Sequence, residues 1–205
     1  MSDRLINGPP DAPYTFLFAH GSGAGMSSPF MDTISHGLSE KGVQVIRFEF
    51  PYMKKIRSTG RKRPPDSMPI LLDSFMKEID RLDGTIVIGG KSMGGRIASR
   101  ILMTSKAQAC IAFGYPFHPP GRTHKLRVEH LAGILKPFLV IQGTRDPFGK
   151  PEENLEQYLS KTTKMHWLLD GDHSFSTRTS SSRTHEQNLT AAVHTMHTFI
   201  RSCEL

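Results

Sequence analysis

Cysteine is scarce in this 205-residue sequence: Cys110 and Cys203 are the two it has, one inside an apolar run and one close to the C-terminus. No disulfide framework can be built from them, which excludes a stapled secreted scaffold and makes a reducing cytoplasm the expected setting. Long hydrophobic runs are also missing, none approaching the roughly 20 residues that cross a bilayer. Residues 1–13 are polar and proline-bearing and lack the charged, apolar, small-residue order of a secretory signal. No membrane partner is expected. No internal repeat is found, which excludes solenoids and arrays, and the one biased tract is a short Ser/Thr-rich stretch at 177–184. Acidic residues are the minority, 19 against 26 Lys and Arg, for a net charge of +7. That excess raises nucleic acid as a partner, but aromatics do not interleave with the charges and no reader motif occurs, so none is expected.

What is present suits one α/β domain over residues 1–205. Short runs rich in β-branched and aromatic residues alternate with longer segments of helical period, the pattern of a mainly parallel sheet covered on both faces. Strands are predicted at 14–18, 43–48, 85–88, 109–113, 138–141 and 165–169. Helices are predicted at 29–41, 68–82, 95–104, 151–159 and about 184–202. Residues 115–136 break the rhythm with Pro116, Pro119, Pro120 and Gly121 before a weak helical stretch at 126–135. In such a sheet the ligand crevice lies beyond the carboxyl ends of the strands, so the residues following each strand matter most.

After the strand at 85–88 comes Gly90-Lys91-Ser92-Met93-Gly94, followed by a helix opening through Arg96, Ile97 and Ala98. This is the form of a nucleophile elbow, a turn so tight that glycine must flank the serine whose hydroxyl it lifts above the sheet. A serine needs a base, and the base needs an orienting acid. Asp146 follows the strand at 138–141 and His173 follows the one at 165–169. The order Ser92, Asp146, His173 is that of α/β-hydrolases, with Asp170 and Asp172 as rival acids. The loop His20-Gly21-Ser22-Gly23-Ala24-Gly25 follows the first strand, and its Ser22 amide, with Gly21 and Gly23 as alternatives, together with that of Met93 is the expected oxyanion hole.

Two other motifs fail. Gly90-Lys91-Ser92 mimics the end of a P-loop, but its first glycine would fall on Thr85 and its cradle on a strand; Gly21-Ser22-Gly23 starts a dinucleotide fingerprint whose third glycine would be Met26. No cofactor is called for. Ten histidines invite a metal, yet no H-x-x-x-H with a glutamate occurs, and His118, His124, His130, His194 and His197 are assigned structural or surface places. Phe113, Tyr115 and Phe117 are expected in the core and acyl crevice, Tyr115 and Phe117 as substrate contacts. Lys54, Lys55, Arg57, Arg61, Lys62 and Arg63 read first as a solvated loop and second as a rim selecting an anionic substrate.

The segments HGSGAG, GRKRPPD, GGKSMGGRIAS, GYPFHPPG with LRVEHL, GTRDPFG and DGDHSF together resemble a family of small dienelactone-hydrolase-like α/β-hydrolases. The family is mostly bacterial, and a testis-expressed vertebrate protein and a subunit of a chromatin acetyltransferase complex share the domain. The resemblance spans nearly the whole chain. It implies the α/β-hydrolase fold without a large lid domain, Ser92, Asp146 and His173 as triad, and the His20 to Gly25 loop in the oxyanion site. Serine stands here where true dienelactone hydrolases carry cysteine. The expected activity is serine-dependent cleavage of a carboxylic ester or related acyl bond on a small-molecule substrate. The alternative is a catalytically silent binding or scaffold module on the same fold.

Overall fold

A computed structural model describes residues 3–203. The strands are β1 (Arg4–Asn7), β2 (Tyr14–Ala19), β3 (Gln44–Phe48), β4 (Thr85–Lys91), β5 (Ala109–Phe113), β6 (Phe138–Gly143) and β7 (Thr163–Leu168), and the helices are α1 (Pro29–Ser39), α2 (Pro51–Thr59), α3 (Met68–Asp80), α4 (Met93–Ile101) and α5 (His185–Ser202). They form one seven-stranded sheet in the order β1-β3-β2-β4-β5-β6-β7, parallel except for β1, which pairs antiparallel with β3. This is an α/β-hydrolase arrangement, and among the described residues no large lid covers it.

Side chains alternate across the central strands because successive residues of a strand face opposite ways. Ile86 and Ile88 of β4, with Cys110 and Ala112 of β5, pack under α3 and α4. Val87, Ile111 and Phe113 face the other way, onto Met31, Ile34 and Leu38 of α1 and Ala192, Met196 and Ile200 of α5. Both faces being covered, these strands read as unbroken apolar runs. Among the described residues no helix is long and apolar enough to cross a membrane.

The fold differs from the predicted elements at four places. β1 was not anticipated; it is a short edge strand with no apolar alternation. Residues 51–59, expected as loop, form α2, which opens on Pro51 and stops at Gly60 in the left-handed region. The helix predicted at 151–159 is instead two 3-10 turns, Pro151–Glu153 and Leu155–Tyr158, separated by Asn154 at φ 50°. The weak helical stretch at 126–135 retains only the turn Leu131–Gly133.

The chain leaves β2 for β3 on one side and then crosses to β4 on the other. Strand order therefore reverses between β2 and β4, and a crevice opens at their carboxyl ends.

Candidate active site

Ser92 is the N-terminal boundary residue of α4, at φ 52° and ψ −114°. Such a backbone costs on the order of 1–3 kcal/mol in a residue with a side chain. Its surroundings hold it there: its N–H donates to the Phe113 carbonyl at 2.8 Å, and its own carbonyl accepts from Arg96 N–H at 3.1 Å. Glycine is required on both sides. A Cβ on Gly90 would stand 2.4 Å from the Gly94 carbonyl carbon, and one on Gly94 would stand 2.6 Å from the Ala19 carbonyl oxygen at the end of β2.

Three strand ends meet at this serine. Ser92 Oγ is 2.9 Å from His173 Nε2, and His173 Nδ1 is 2.8 Å from Asp146 Oδ2. Asp146 is wholly buried. Its Oδ1 accepts from Phe148 N–H at 2.9 Å and its Oδ2 from Gln142 Nε2 at 3.0 Å. The Phe148 ring lies against the imidazole, centroids 4.4 Å apart. The rival acids are engaged elsewhere. Asp170 is bound by Arg178 and Arg145, and hydrogen bonds from Arg178 hold its carboxyl down to about 2; Asp172 Oδ1 accepts from the N–H groups of Ser174 and Ser176.

The loop after β2 is oriented from behind. His20 is buried; its Nε2 accepts from Phe50 N–H at 3.1 Å, which leaves Nδ1–H to donate to the Gly21 carbonyl at 2.6 Å. Burial lowers its pKa, in keeping with that neutral tautomer. Tyr52 Oη lies 3.2 Å from the Gly21 carbonyl oxygen and 3.1 Å from that of Ser22. In a trans peptide the N–H points opposite to the C=O, so carbonyls turned toward His20 and Tyr52 turn the amides of Ser22 and Gly23 the other way. Met93 opens α4, where the first N–H groups lack helical partners. Ser22, Ser92 and Met93 border one cleft of about 370 Å³.

A neighbouring cavity of about 390 Å³ contains Phe30, Lys91 and His173. Lys91, inside the elbow itself, is buried; its Nζ donates to the His173 carbonyl at 2.5 Å and stands 5.5 Å from the Phe30 ring centroid. Burial pushes its pKa down to about 8, against the pull of Asp146 and Asp172.

Several expected residues lie elsewhere. Tyr115 and Phe117 have no exposure and pack on each other, centroids 4.7 Å apart, while Pro116 between them borders the cleft. They are core residues: a tight turn about Pro116, closed by Phe117 N–H donating to the Tyr115 carbonyl at 3.0 Å, carries both rings into the interior. The basic cluster is not at the cleft: Lys54 and Arg57 of α2 face Asp3, Arg57 also binds buried Glu49 at 2.8 Å, and Arg61, Lys62 and Arg63 are exposed. The cationic residues that do border it are Arg96 and Arg127. Sequence reasoning missed them, along with Lys91, Tyr52, Gln142 and Phe148. His118 and His130 are structural, bound to Glu153 and Ser99.

Comparison with known proteins agrees with this fold. Residues 12–201 match a family model described as an alpha/beta hydrolase domain. A dienelactone hydrolase from Anabaena variabilis superposes with TM-score 0.72 at 20% identity, over 97% of this chain and 90% of that one. Est1E from Butyrivibrio proteoclasticus, solved with ferulic acid bound, gives 0.71 at 15% identity over 97% and 95%. A serine hydrolase without a lid from Xanthomonas campestris gives 0.66 at 20% identity over 97% and 87%. At these identities the likeness is one of fold.

Proposed function

The chain belongs to the alpha/beta hydrolase domain family, and from that we propose that it is a serine hydrolase cleaving carboxylic esters through an acyl-enzyme on Ser92. The observation that carries the reading is the continuous run of contacts from Ser92 Oγ through both ring nitrogens of His173 to a buried Asp146. His173 Nε2 removes the hydroxyl proton as Ser92 Oγ attacks the ester carbonyl carbon. Negative charge then develops on the carbonyl oxygen. The amides of Ser22 and Met93 stabilise it, a donor of this kind contributing about 3–4 kcal/mol.

His173 returns the proton to the departing alcohol oxygen, leaving Ser92 acylated. Water, deprotonated by the same nitrogen, attacks the acyl carbon; the carboxylic acid departs and Ser92 recovers its proton. Asp146 accepts from Nδ1–H, which holds the ring in place and stabilises the imidazolium. Tyr115 and Phe117 have no part in it, and the cleft wall of Met68, Leu71 and Phe148 takes the apolar part of the substrate.

The test is labelling of the folded protein with a fluorophosphonate, alongside turnover of p-nitrophenyl acetate. Wild type is expected to label and turn over; Ser92→Ala is expected to do neither. Absence of Ser92-dependent labelling in protein with a native melting transition would favour a silent binding module.

A further inference from the structure

The cleft that holds Ser92 carries two guanidinium groups that acyl transfer leaves unused. Arg96 and Arg127 both border it, with Asp66 beside them. Arg96 lies in the first turn of α4, its N–H donating to the Ser92 carbonyl at 3.1 Å, and both residues border the cleft. Its Nε is closed off from solvent and has no hydrogen-bond partner. Among the described residues neither guanidinium forms an ion pair; the arginines that do are Arg4, Arg47, Arg57, Arg81, Arg145 and Arg178. A buried donor without a partner is disfavoured, and an acceptor on a ligand would remove that cost. We infer that Arg96 and Arg127 form a subsite for a carboxylate carried on the ester substrate a few bonds from the scissile carbonyl, an inference that rests on Ser92 being the nucleophile.

The local charge favours a single negative charge over two. Burial, and then the like charges of Arg127 and Arg100, lower the pKa of Arg96, while Tyr115 and Glu129 oppose them. Asp66 borders the same cleft, its Oδ2 accepting from Tyr52 N–H at 2.7 Å. Among the residues bordering the cleft, Arg96 and Arg127 against Asp66 leave an excess of one positive charge, which a carboxylate neutralises and a phosphate dianion overshoots. A planar guanidinium also matches a carboxylate with two parallel N–H donors. The apolar wall of Met68, Leu71 and Phe148 accommodates the short methylene chain between the carboxylate and the ester. The substrate class is thus a hemiester of a short dicarboxylic acid.

A matched pair of esters tests this: p-nitrophenyl hemiglutarate and p-nitrophenyl valerate, which differ in a terminal carboxylate against a methyl. The ratio of their kcat/KM values is measured for wild type, Arg96→Gln and Arg127→Gln at low and high salt. The wild-type ratio is expected to favour hemiglutarate by about tenfold or more, from charge-assisted hydrogen bonds, and to shrink with salt. Either substitution should bring it down toward one; Arg127→Gln keeps the test available should Arg96→Gln fail to fold. Ser92-dependent turnover of both esters with a ratio near one, or a ratio that neither substitution alters, overturns the subsite and leaves the acyl transfer standing. If neither ester is turned over, acyl transfer has failed, and calorimetry with glutarate decides the subsite: binding lost in Arg96→Gln supports it, and no binding to wild type overturns it.

Discussion

Asp146 has no exposure, and each of its oxygens has an assigned partner, Oδ1 the Phe148 amide and Oδ2 both Gln142 and His173. An asparagine there would fit the space but not the donors. Its NH₂ group, turned toward His173, would force Nδ1 to accept and put the ring proton on Nε2, facing Ser92. The base would then be lost with the fold intact. Asp146→Asn is expected to lower kcat on p-nitrophenyl acetate by about 10⁴-fold, with an unchanged melting temperature to within a few degrees. A loss below tenfold would move the acid to another carboxylate, although Asp170 is committed to Arg178 and Arg145.

At the scale of elements, α2 sets the loop that faces the nucleophile. Pro51 starts the helix immediately after β3, which places Tyr52 under the Gly21 and Ser22 carbonyls. Tyr52→Phe keeps the ring packing and removes the hydroxyl, leaving two carbonyls free to turn and take their amides out of line. We expect kcat to fall about tenfold, a part of one oxyanion donor's contribution, with KM little changed and stability lower by about 1 kcal/mol. Equal losses in kcat/KM for an ester and in fluorophosphonate labelling rate would fit; an effect on KM alone would assign Tyr52 to substrate binding.

The elements that could be read from the sequence are those whose burial leaves an apolar signature: the central strands, covered on both faces, and α1, α3 and α5 with one apolar stripe each. α2 gave little signal because Lys54, Lys55 and Arg57 interrupt the apolar pattern of its nine residues, and the pairing of Lys54 and Arg57 with Asp3 and Glu49 is set by the tertiary fold. Ser92, Asp146 and His173 were legible because short loops directly after strands constrain where side chains can go. Arg96 and Arg127 were not, since an arginine on a helix or in an irregular segment carries no local mark of what it faces. Tyr115 and Phe117 were misplaced by the same limit: aromatic character indicates burial but not which surface does the burying.

For the molecule as a whole, Lys91 ties the site to stability. It lies among the Phe30 and Phe175 rings and the His173 carbonyl, with Asp146 and Asp172 as the carboxylates acting on its charge. Its folded-state pKa, about 8, is below the ordinary lysine value of 10.5. Between those values the unfolded chain keeps a proton that the folded chain has released, so the contribution of Lys91 to stability rises with pH across that window. The full span corresponds to about 3 kcal/mol. Tyr52, Tyr115 and Cys110 act oppositely, because burial raises their pKa values and the folded state holds their protons longer. A bare stability curve would therefore mix the two effects. Subtracting the curve of Lys91→Met isolates the lysine: the wild-type minus variant difference in unfolding free energy should grow in favour of wild type from pH 7.5 to 10.5, and parallel curves would mean that this amine is not desolvated. A cation held this way beside the nucleophile costs folding free energy at neutral pH, as expected where stability is given up to position an active site.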